Sequence, residues 1–74
     1  MSNNPKYFEI QAKNSKSSII PFVEEFYDRV TGIRVMEIGS AEGGVLKAFT
    51  DLNCTCLGVE LNPHRVERAK EYMK

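Results

Sequence analysis

The chain has 74 residues, 42% of them hydrophobic, and its ten basic residues balance ten acidic ones. That length allows one small domain at most, and the composition is too apolar for a disordered tail. Zero net charge leaves no electrostatic footprint for nucleic acid or an anionic membrane. No apolar run has the length of a transmembrane helix, and the polar first residues are unlike a signal peptide. The expected location is the cytoplasm, with Cys54 and Cys56 as reduced thiols.

Residues 1–16 read as a polar lead segment in which Tyr7, Phe8 and Ile10 are the apolar exceptions. They allow a short helix from Tyr7 to about Lys13. Ser15 to Ser18 read as a break, with Ser17 or Ser18 available to cap a new helix and Pro21 in or beside its first turn. Ile19, Phe22, Val23, Phe26 and Val30 follow at helical spacing, which predicts a helix over 17–31 ended by Gly32. A continuous helix from Tyr7 to Thr31, kinked at Pro21, is the alternative. Ile33 to Ile38 then reads as a strand covered on both faces. Gly39 to Glu42 turn, and a helix begins near Gly43 with Val45, Phe49 and Leu52 as its core stripe and Ala48 beside them. Asn53 is a good left-handed terminator. Cys54 to Glu60 form a second strand. Asn62 caps a last helix, Pro63 takes its first position, and Val66, Ala69 and Met73 give it an apolar face.

Residues 33–74 are thus a β-α-β-α unit with two parallel strands and a right-handed crossover. The fold class is α/β, a partial Rossmann-like (doubly wound) arrangement preceded by a helix. Two parallel strands cannot cover their own edges and faces. The chain is therefore expected to open a larger domain, or to complete its sheet with another chain.

The run from Val35 to Gly44 carries the chemistry. Gly39 permits a backbone conformation closed to other residues and lets a ligand approach, while Ser40 and Ala41 are small. Gly43 and Gly44 let the helix begin hard against the strand. Sixteen residues after Gly44, Glu60 ends the second strand, where ligands of open α/β sheets bind, and a carboxylate there can accept bonds from both hydroxyls of a ribose. Glu37 separates two cofactor classes. About 5 Å from a pyrophosphate, a carboxylate costs roughly 3 kcal/mol per unit charge at an effective dielectric of 20. Beside a sulfonium and an ammonium the same carboxylate helps. Other residues invite blander readings. Cys54 and Cys56 fall on one strand face as small core residues, and two thiols do not make a metal site. His64 reads as a surface residue. Arg65, Glu67, Arg68, Lys70 and Glu71 read as a solvated helix face. No residue is a credible catalytic base.

These residues resemble a family. Glu37 to Gly43 are similar to the first motif of class I S-adenosylmethionine-dependent methyltransferases, an acid followed by three alternate glycines, with Ala41 at the middle glycine. Val59-Glu60-Leu61-Asn62 resembles the second motif. The resemblance implies that Glu37, Gly39, Ser40, Ala41 and Gly43 surround the methionine and ribose, that Glu60 holds the ribose, and that Leu61 lies against the adenine. It implies S-adenosylmethionine as cofactor, an unknown methyl acceptor, and two strands of a seven-stranded sheet, so the isolated chain is expected to be catalytically silent. Two other readings stay open. Gly39, Ala41 and Gly44 loosely fit a nicotinamide-dependent oxidoreductase. A non-enzymatic fragment would self-associate through open strand edges.

Overall fold

A computed structural model describes residues 5–73. The chain enters through α1 (Lys6–Asn14), passes through a π-helical stretch (Ser15–Ile19) and continues as α2 (Ile20–Glu24). The three run on as one helix, so the predicted break at Ser15 to Ser18 is not there, and neither Ser17 nor Ser18 caps a helix. Ser17 Oγ instead donates back to the Asn14 carbonyl at 3.4 Å. Pro21 is the physical cause. It has no amide for the Ser17 carbonyl and its ring crowds that carbonyl. The helix widens just before it, and the Ile20 amide donates five residues back to Ser15.

One extra residue in a turn rotates every later position by about 100°. Ile20 is therefore buried at 6% exposure, while Phe22 and Phe26 of the predicted stripe stand 60% and 71% exposed. The helix also stops at Glu24 rather than at Thr31. The Glu25 and Phe26 amides tighten the last turn by donating to the Phe22 and Val23 carbonyls. Gly32, at φ +87°, does not terminate this helix. It occupies the third position of a turn from Val30 to Ile33, closed by the Ile33 amide on the Val30 carbonyl at 3.2 Å. That turn delivers Val30 to the core.

Beyond the turn the chain alternates strand and helix as the sequence predicts. β1 (Arg34–Ile38) and β2 (Thr55–Val59) pair in parallel, Arg34 opposite Thr55 and Ile38 opposite Val59, with α3 (Gly44–Thr50) between them in sequence. Asn53 adopts φ 62° after α3, and the Asn62 side chain accepts the His64 amide at 2.9 Å to open α4 (Pro63–Tyr72). The core joins Ile20, Val30, Ala48, Phe49 and Cys54, with Val35 and Cys56 packed on it from the sheet. Both cysteines thus serve the core.

The helix over Lys6–Asn14 agrees with the short helix expected from Tyr7 to about Lys13 and gives the lead segment a place in the packing. α1 lies against α3 so closely that a Cβ on Gly44 would sit 2.5 Å from the Phe8 carbonyl oxygen and from the Gln11 side chain. Phe8 is buried, and its ring meets Tyr72 of α4 at 5.2 Å between centroids. The strand face turned away from this core is bare: Met36, Ile38, Leu57 and Val59 are 63%, 72%, 59% and 40% exposed. Among the described residues no helix is long and apolar enough to cross a membrane.

Candidate functional site

The segment joining β1 to α3 is built from alternate left-handed residues. Gly39, Ala41 and Gly43 have φ of 74°, 53° and 85°. These are the three positions at which the sequence motif places small residues, and Ala41 is the one that carries a Cβ there. The amides of Gly39 and Ser40 both donate to the Val59 carbonyl, at 2.7 and 3.1 Å, fixing the loop to the end of β2. The Gly43 amide closes a tight turn on the Ser40 carbonyl at 2.9 Å.

Glu60 completes the attachment. Its Oε1 accepts the Ala41 amide at 2.7 Å and its Oε2 accepts the Asn62 amide at 3.0 Å. The Asn62 amide first, and the Ala41 amide next, hold the Glu60 carboxyl below its usual value. From the sequence, this carboxylate is expected to accept bonds from both hydroxyls of a ribose. In the structure each oxygen already carries one main-chain bond. A carboxylate has about four acceptor positions, so these two bonds do not exhaust it.

Glu37 projects from the covered face of β1, directly opposite Gly58. One of its carboxylate oxygens is buried and has no hydrogen-bond partner, and burial raises its carboxyl above 4.5. No ion pair to Arg34 or any other base forms among the described residues. A buried carboxylate oxygen without a partner costs stability, and such groups gather where a ligand completes them.

A pocket of about 290 Å³ opens between the loop, β2 and α4. Ser40, Ala41, Gly43 and Glu60 line it, whereas Glu37, Gly39 and Leu61 do not. Leu61 is 95% exposed beyond the end of β2, and Gly39 has open space where a side chain would project. The structure thus gathers four of the seven predicted site residues around one cavity and leaves three outside its lining.

Three further contributions escaped the sequence reading. Gly58 is required because its Cβ would lie 2.5 Å from Ser40 Oγ, so it makes room for the loop. Gly44 admits α1. Arg68, expected in a solvated helix face, donates from Nε to Glu42 Oε2 at 2.6 Å, with the two side chains only 15% and 11% exposed. Only Gly58 left a sequence signal, as a glycine inside a strand, which marks close backbone approach. Among the described residues no group of three or more His, Cys, Asp or Glu is gathered that could hold a metal ion. Comparison of the chain with protein-family models, with curated proteins and with solved structures gave no match.

Proposed function

We propose that this chain supplies half of a nucleoside-cofactor site in a Rossmann-like methyltransferase domain, and that the cofactor is S-adenosylmethionine. The observation that carries this reading is the Glu37 carboxylate, half-buried, unpaired, and two residues before a loop of alternate left-handed residues. A fixed negative charge there is unfavourable to a dinucleotide pyrophosphate and favourable to a sulfonium or an ammonium. The free acceptor positions on Glu60 suit a ribose, and the open space at Gly39 and the exposed Leu61 leave room for the rest of the nucleoside. S-adenosylmethionine supplies an activated methyl group; this chain contributes binding and orientation. Recognition of the methyl acceptor falls to whatever completes the domain.

Titration of the 74-residue chain with S-adenosylmethionine and, separately, with NAD tests the proposal. Perturbation of the Ala41 and Gly43 amide resonances by the sulfonium nucleoside, with weaker or no response to NAD, is the expected result. Tighter binding of NAD would transfer the site to the nicotinamide reading. The bare face of the sheet favours a second reading, a non-enzymatic segment that associates through its unpaired strands.

A further inference from the structure

Two charged groups from one short segment grip consecutive residues of the loop. Glu60, just past β2, takes the amide of Ala41, and Arg68, in α4, takes the carboxylate of Glu42. Glu42 sits between two left-handed residues, Ala41 and Gly43. The Met73 side chain, from the end of the same helix, approaches to 3.5 Å from where a Cβ on Gly43 would be. A buried ion pair of this kind is weak evidence for added stability, because desolvation offsets most of the attraction. What it does fix is geometry. A guanidinium and a carboxylate excluded from water must meet each other, so Glu42 cannot move without uncovering a charge. Once Glu42 is pinned, the peptide that joins it to Ala41 is pinned as well.

We propose that Arg68 is a positioning residue: through Glu42 it holds Ala41 in its left-handed conformation with its amide on Glu60, so that the loop takes its ligand-binding shape only when α4 is docked. The inference takes its ligand from the cofactor reading above, while its geometric content stands apart from it. It also makes α4 part of the site. Any ligand that needs the formed loop stabilises the docking of α4, although α4 itself lines the pocket with Val66, Ala69 and Lys70, of which Lys70 alone is polar.

The test compares Arg68→Met and Glu42→Gln with the unmodified 74-residue chain. Amide hydrogen exchange and the chemical shift of Ala41 are read without ligand, and affinity for S-adenosylhomocysteine is read by calorimetry. Far-UV circular dichroism reports the fold. With helix content retained, Ala41 is expected to lose its hydrogen-bonded shift and to exchange roughly tenfold faster. Affinity is expected to fall by about tenfold in both variants. A merely structural role would leave Ala41 untouched in a folded variant, and an unchanged Ala41 resonance overturns the proposal. Should Arg68→Met fail to fold, the nearly isosteric Glu42→Gln carries the same measurement. If the unmodified chain binds no S-adenosylhomocysteine, the cofactor reading falls, and the Ala41 resonance still decides the role of Arg68.

Discussion

Ala41 shows how much of this loop is decided by single residues. Its φ of 53° is a conformation that costs a residue with a Cβ about 1–2 kcal/mol. Glycine would remove that cost but lose about 0.5–1 kcal/mol in unfolded-state freedom. Ala41→Gly is therefore expected to stabilise the chain by roughly 0.5–1 kcal/mol, measured by urea unfolding; a clear loss of stability would mean that the left-handed geometry is misassigned. The two acids titrate in opposite senses. Glu60 is lowered by its main-chain donors, so its contribution is present above the ordinary carboxylate value and fades as pH falls through the lowered one. Glu37 is raised by burial, so the folded state binds its proton more tightly than the unfolded chain does. Stability is then undiminished below 4.5 and declines as pH rises through the raised value. Glu37→Gln removes that decline. The variant is expected to melt above the unmodified chain at neutral pH and level with it well below 4.5, in thermal scans across pH. Equal melting at neutral pH would show that the Glu37 carboxylate carries no burial penalty.

Among the elements, what was legible in the sequence was what local chemistry decides. Asn62 and Pro63 open α4, Asn53 turns left-handed after α3, and the two apolar runs become the paired strands. The first two depend on residues within a turn of one another, and each strand is marked by its own apolar run. In the amino-terminal helix the break read at Ser15 to Ser18 is absent, because Pro21 acts upstream and widens the helix over those polar residues; the continuous alternative is the nearer reading, although the helix ends at Glu24. The same widening moved the apolar face by one residue, from Ile19 to Ile20. Gly44 and the Glu42–Arg68 pair were illegible for a different reason, and Gly58 signalled a close approach without its partner, since each answers to a group distant in the chain: the Phe8 backbone, an opposite charge, the Ser40 side chain. In the candidate site, the loop and Glu60 were read from spacing, but that the Glu60 carboxylate holds the loop, through the Ala41 amide, was not. The contact of α1 with α3 has a direct test. Gly44→Ala places a methyl group against the Phe8 backbone, which cannot yield as a flexible side chain does. A cost of about 1–3 kcal/mol is expected in denaturant unfolding. A neutral substitution would show that α1 does not pack on α3 in solution.

For the whole molecule the decisive feature is asymmetry. The helical elements that make up the core lie with one face of a two-stranded parallel sheet, and the other face presents Met36 beside Leu57 and Ile38 beside Val59. Parallel strands are ordinarily covered on both faces. The chain is expected to associate or to bind a hydrophobic dye through this surface. Because Leu57 is mostly exposed, Leu57→Lys should reduce association in light scattering while changing unfolding free energy by no more than about 0.5 kcal/mol. A large loss of stability would mean that the face is already packed in solution. The measurement that bears most directly on the proposed function is a pair of calorimetric titrations of the chain and of Glu37→Gln with S-adenosylmethionine and NAD. The unmodified chain is expected to prefer the sulfonium nucleoside, and Glu37→Gln to narrow that preference by weakening the first ligand and sparing the second. A preference for NAD in the unmodified chain, or a preference for S-adenosylmethionine that Glu37→Gln leaves intact, would contradict the electrostatic role assigned to Glu37.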